Sequence, residues 1–251
     1  TGPSEIAELP LVEMFPDEAT ETYLTRFAEV DPQIADDLTR RLNQARRVYT
    51  STNEQALIVL ASAWTRDLDT MAHLEYAPAD NVAALVNHLR DGLRSLTDSG
   101  APYCLGRDIQ RFALYSEQDF YRLYLELLAY GEPGYEYAIE TETILIDAVG
   151  KARLDPSVRT GPTYGDQRFV QDIGRSLLFD PEMSAMFFAE GKGKAVMDEA
   201  MGDVDFCAIG VRVLDQVSAM PKETQARYWS EGVRQVRSGA AMRAFQSMFV
   251  Y

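Results

Sequence analysis

Apolar residues recur at three- and four-residue spacing along nearly the whole chain, which is the period of an amphipathic α-helix. Residues 17–29, "DEATETYLTRFAE", open on an acidic first turn and place Tyr23, Leu24 and Phe27 on one face. Asp31 is a good N-cap for a second helix, with Pro32 at its first position and Ile34, Leu38, Leu42 and Ala45 as its stripe. Asn53 can cap a third helix reaching about Leu74, striped by Leu57, Leu60, Trp64, Leu68 and Met71. Pro78 breaks the chain. Asp80 can then cap a fourth helix, which carries Val82, Leu85, Val86, Leu89, Leu93 and Leu96 and stops near Gly100.

The segment "GAPYCLGRDIQRFALY" has weaker helical character and reads as a loop with a short extended piece. Ser116 with Asp119 resembles a helix cap. Helices over 117–130 and 135–153 flank "GEPG", and 155–166, "DPSVRTGPTYGD", is the richest Pro/Gly stretch. Beyond it the pattern predicts shorter helices at 167–178, 181–190, 193–201, 204–219, 222–238 and 240–249. Asp180-Pro181 repeats the start signal of Asp31-Pro32, and Pro221 can open its own helix. There is no strong strand or hairpin signal and no fixed repeat period. The expected fold is all-α, a multi-helix bundle or irregular helical array of about ten helices. The expected division is an N-terminal bundle over 1–154, a connection over 155–166, and a C-terminal helical subdomain over 167–251 packed on the first.

Charge narrows the partners. The 251 residues carry 39 acidic and 24 basic side chains, a formal charge of −15. Such a surface repels phosphate backbones and anionic lipid, so nucleic acid is excluded and a cationic protein partner fits. The acid concentrates in residues 1–37 and 116–147, whereas the region from Lys222 onward is basic. The longest apolar run, "ALIVLASAW", is half the ~20 residues that span a bilayer, so no transmembrane segment is expected. The opening "TGPSEIAELP" lacks Met and reads as a processed start or as a cut within a longer chain.

Little in the chain carries catalytic signatures. GxSxG, the P-loop and GxGxxG after a strand are missing. "EGKGKAV" at 190–196 could hold an anion at a helix start. His73 and His88, with Asp69 and Asp91, could form a metal cluster, but HExxH and Glu-x-x-His are absent, and neither metal nor cofactor is expected. Cys104 lies in a predicted loop and Cys207 on an apolar helix face. A bridge between them would close a long loop and fit a chain exported to an oxidising compartment; free core cysteines are the alternative.

The most distinctive stretch is 119–142, "DFYRLYLELLAYGEPGYEYAIETE", in which tyrosines alternate with acids. Tyr121, Tyr124, Tyr130, Glu132, Tyr135, Glu136 and Tyr137 are the candidate contact residues. Rings beside carboxylates suit a cation or a sugar, whereas tyrosines at helical spacing commonly fill the seams between helices. At the C-terminus, Met242, Phe245, Met248 and Phe249 give a bulky amphipathic helix suited to docking on the core or on a partner. The expectation is a non-catalytic binding or scaffold protein, bacterial and periplasmic or secreted, with cytoplasmic as the alternative compartment. Its rival is an α-helical carbohydrate-active enzyme that uses paired carboxylates such as Glu132 and Glu136.

Overall fold

The computed structural model describes residues 8–48, 51–64, 72–101, 103–112, 114–189 and 191–239. Among them the chain forms twelve α-helices and no strand: α1 Glu18–Val30, α2 Pro32–Val48, α3 Thr52–Trp64, α4 Ala79–Asp98, α5 Gly106–Phe112, α6 Glu117–Leu127, α7 Pro133–Leu154, α8 Tyr164–Leu178, α9 Pro181–Ala189, α10 Lys194–Gly202, α11 Phe206–Ser218 and α12 Lys222–Arg237. Leu68 and Met71, expected on the third helix, and the expected helix 240–249 with Met242, Phe245, Met248 and Phe249 lie outside the described residues.

Short polar side chains set many of the helix starts. Asp17 accepts from Thr20 N at 2.8 Å to open α1. Ser116 and Asp119 exchange bonds at α6, and Thr163 and Asp166 form a full capping box at α8. Asp180 accepts from Glu182 N and Met183 N at α9. Three sequence expectations need correction: the third helix starts at Thr52, so Asn53 sits inside its first turn rather than capping it, and its Oδ1 accepts from Tyr130 N. The fourth helix starts at Ala79, so Asp80 sits inside its first turn rather than capping it. The expected loop at 100–115 contains the helix α5. Its Gly106 is required by contact and not by a turn, since a Cβ there would lie 1.8 Å from Met201 O.

Contacts divide the chain into two compact units: residues 1–81 with 121–157, and 82–120 with 158–251. The stretch 82–120, expected in the N-terminal bundle, therefore belongs to the second unit. Its anchors explain why. Leu93 of α4 fits over Gly210, where an added Cβ would be 2.7 Å from Leu93 Cδ1. Arg94 pairs with Asp215 at 2.8 Å, Arg107 with Asp203 at 2.8 Å, and Cys104 is joined to Cys207.

The first unit holds a continuous apolar core. Tyr23, Leu24 and Phe27 of α1, Leu38 and Leu42 of α2, Val59 and Leu60 of α3, and Tyr135, Ile139 and Ile146 of α7 are all buried in it. Among the described residues the most extensive pairing is α1 on α7, where Gly150 lets the helices approach: a Cβ there would meet Val30 Cγ2 at 2.6 Å. Arg26 donates to Asp147 at 3.0 Å and Arg153 to Asp31 at 2.5 Å along the same seam. On α3 the buried stripe is Ala56, Val59, Leu60 and Ala63, one position out of register with the expected Leu57–Leu60–Trp64 stripe, which leaves Trp64 half-exposed.

The second unit is tied together by polar groups as well as apolar ones. Asp166, almost fully buried, accepts from Thr163 at the head of α8 and from Thr224 and Arg227 of α12, the last bidentately at 2.7 and 2.8 Å. The Arg227 guanidinium, followed by the Thr163 and Thr224 hydroxyls, holds the Asp166 carboxyl well below the usual carboxylate range. Asp180 plays a similar role at α9, pairing with Arg212 of α11 at 2.7 Å. Charge divides unevenly: the first unit carries 22 acidic and nine basic side chains, the second 17 and 15.

Candidate functional site

The tyrosine-rich stretch separates into two groups of rings with different surroundings. Tyr135 belongs to the interior of the first unit, and Tyr130, half-buried, packs against that core. Tyr135 is buried on α7, and its hydroxyl shares a 2.9 Å hydrogen bond with Thr20 of α1. Tyr130 packs edge-on against Tyr135 at 5.3 Å and lies 5.9 Å from Phe15. Its hydroxyl donates to Asp17 Oδ2 at 2.7 Å, and its backbone N–H donates to Asn53 Oδ1 at 2.8 Å. Burial, and then the Asp17 carboxylate, push the Tyr130 phenol up to about 12; burial pushes the Tyr135 phenol up further. These two tyrosines brace the α6–α7 turn against α1 and the start of α3, so they leave the set of contact residues. The reason is register: Tyr135, Ile139, Glu142 and Ile146 repeat at three and four on the side of α7 that faces α1.

The other group is at the surface. Tyr121 and Tyr124, one turn apart on α6, are exposed and half-buried. Trp64, at the end of α3, meets Tyr124 edge-to-face at 5.5 Å with 70° between the planes. Burial and the neighbouring Tyr121 push the Tyr124 phenol up. Tyr121 is 62% exposed and Trp64 50% exposed, large values for rings that could pack. Trp64 is the site residue that spacing alone misses, because it continues an apolar stripe; the signal that finds it is the competing Ala56–Val59–Leu60–Ala63 stripe beside it.

The same stretch of the first unit also carries exposed acid. Glu126, Glu132 and Glu136 are exposed on α6, before α7 and in its first turn. Glu132 occupies the α7 N-cap position without a side-chain cap bond. Tyr135 between Glu132 and Glu136 turns inward, so that carboxylate pair has no exposed ring from Tyr135 beside it. Tyr137 is half-buried, and burial pushes its phenol up. Elsewhere, an open depression along α1 is lined by Glu18, Glu21 and Glu29 with Thr22, Thr25 and Arg26.

The remaining candidates are as follows. His73 falls in the first unit and His88 in the second, where Asp91 lies near it; Asp69 lies outside the described residues. At "EGKGKAV", Lys194 Nζ donates to Asp198 at 2.7 Å within α10. Cys104 and Cys207 are bonded, Sγ–Sγ 2.04 Å, and both are buried. Asp205 lies beside them as the N-cap of α11, accepting from Ala208 N at 2.9 Å. Among the described residues no helix is long and apolar enough to cross a membrane. The chain matches no protein-family model, no curated protein and no solved structure.

Proposed function

We propose that this chain is a non-catalytic binding protein that takes a cationic polypeptide on the first unit, with Trp64, Tyr121 and Tyr124 as its ring platform. The observation that carries this reading is the Trp64–Tyr124 pair held edge-to-face at the surface, with Tyr121 open beside it. Indole and phenol faces attract guanidinium and ammonium groups, each contact worth roughly 0.5–2 kcal/mol. The excess of carboxylates on the same unit steers such a partner in and speeds association. The sugar-enzyme alternative asks for rings next to Glu132 and Glu136, and Tyr135 is withdrawn into the core. The disulfide supports an exported, periplasmic or secreted location, since such bonds persist where thiols are kept oxidised.

An octa-arginine peptide labelled with a fluorophore tests the reading. Its affinity should fall in Trp64→Ala and in Tyr121→Ala by about fivefold or more each, as expected for an aromatic anchor worth over ~1 kcal/mol. Neither change alters charge. Equal affinity in both variants would reduce the interaction to unspecific attraction by acid and remove the platform.

A further inference from the structure

We propose that the reduced chain binds a thiophilic divalent cation, of which Zn²⁺ is the type, through Cys104 Sγ, Cys207 Sγ and a carboxylate oxygen of Asp205. The three side chains each offer one donor atom, and these atoms all lie within 4.8 Å of one another. Two thiolates with a carboxylate match the borderline-soft preference of Zn²⁺, and three protein donors with a fourth position left to solvent is the pattern of an open zinc site.

The backbone, and not only the sulfur bond, keeps these groups together. Leu105 and Asp205 form an isolated antiparallel bridge. Gly106 N donates to Val204 O and Phe206 N donates to Cys104 O, both at 2.9 Å. Arg107 pairs with Asp203 at 2.8 Å on the same clasp. None of these contacts involves sulfur, so opening the disulfide leaves both thiols facing each other at the start of α11. Zn–S bonds of about 2.3 Å place two thiolates about 3.8 Å apart, and Cα atoms 5.1 Å apart allow this by side-chain rotation. Asp205 caps α11 through Oδ1, a bond that does not use Oδ2. Its backbone N–H is fixed by the Glu182 carboxylate at 3.2 Å, which holds the ligand's main chain in place.

The reaction balances with a thiol reductant. Two electrons and two protons from a dithiol cleave the S–S bond to two thiols, while the dithiol closes to its own disulfide. Binding of Zn²⁺ then displaces the two thiol protons to solvent. The disulfide and the metal are thus mutually exclusive states of one site. This inference lies in the second unit and is independent of the ring platform, which a failed metal titration would leave untouched.

The full chain is reduced with a phosphine, which takes oxygen from water as it opens the disulfide, and is titrated anaerobically with Co²⁺ and then with Zn²⁺. One equivalent should bind, with a thiolate-to-cobalt charge-transfer band in the near ultraviolet that Zn²⁺ displaces; oxidised protein should show no band. Cys207→Ser should abolish the band. Asp205→Asn keeps a good helix cap and should weaken Zn²⁺ binding at least tenfold. Absence of the band in reduced protein that keeps its helical circular dichroism overturns the proposal and leaves a structural disulfide only. A band that survives Cys207→Ser overturns it as well. So does loss of helical signal on reduction, because the sulfur-free clasp would then have failed to hold the thiols.

Discussion

Tyr121 and Tyr135 show how the same side chain serves two ends in one stretch, and they make separable predictions. Tyr135→Ala deletes a buried ring and should cost roughly 3–5 kcal/mol in urea unfolding, while Tyr121→Ala at the surface should stay within about 0.5 kcal/mol. Tyr130 gives a pH signature. Its folded phenol titrates at about 12, above the ordinary 10, so its contribution is complete below pH 10 and drains away as pH rises from 10 through 12. Tyr130→Phe should therefore flatten that alkaline limb. Asp166 works in the opposite sense: its depressed carboxyl contributes above the ordinary carboxylate range, and that contribution is lost as acid protonates it. Asp166→Asn should cost about 2–3 kcal/mol at neutral pH, less than the ~3–5 for a fully buried pair because Arg227 keeps a quarter of its side chain in water. It should also shrink the fall in stability below pH 4. At this scale spacing marks Tyr23, Leu24 and Phe27 as core, since α1 has one apolar face. It does not separate Tyr135 from Tyr121, because a tyrosine is at home on either side of a helix and only the partner across the seam decides.

Helices are the level at which the sequence speaks most clearly. Periodicity and the Asp-Pro, Ser and Pro start signals place ten of the twelve within a few residues of their bounds, and the third, expected to about Leu74, is described only to Trp64. The exception, α5, is seven residues long, too short for a period to show, and opens on a glycine that resembles a loop signal. What escapes is how helices meet, because a glycine inside a helix looks the same whether or not a neighbour leans on it. Two substitutions of equal intrinsic propensity separate these cases. Gly150→Ala puts a methyl 2.6 Å from Val30 Cγ2, so the α1–α7 seam must open, and the ~1 kcal/mol gained in helix propensity should be outweighed to a net loss of about 1–2 kcal/mol. Gly174→Ala on α8 meets nothing within 4 Å and should stabilise by about 0.5–1 kcal/mol. Thermal unfolding of the pair should give melting temperatures displaced in opposite directions.

Across the whole molecule, each unit owns one tryptophan, Trp64 in the first and Trp229 in the second. A Trp64→Phe chain therefore reports the second unit alone. Because the disulfide spans 103 residues, its reduction should lower the denaturant midpoint read by Trp229 by the equivalent of up to ~4.7 kcal/mol. A Trp229→Phe chain, reporting through Trp64, should show a much smaller shift. The charge imbalance is visible in composition, but its assignment to one unit is not, since that unit is assembled from two separated stretches of chain. This interleaving has a consequence for biosynthesis. As the nascent polypeptide leaves the ribosome, residues 82–120 emerge before the first unit can close at 157, yet their own companions arrive only afterwards. Through that interval Cys104 is a lone thiol and the inner faces of α4 and α5 stay bare. That window is where a chaperone has most to protect.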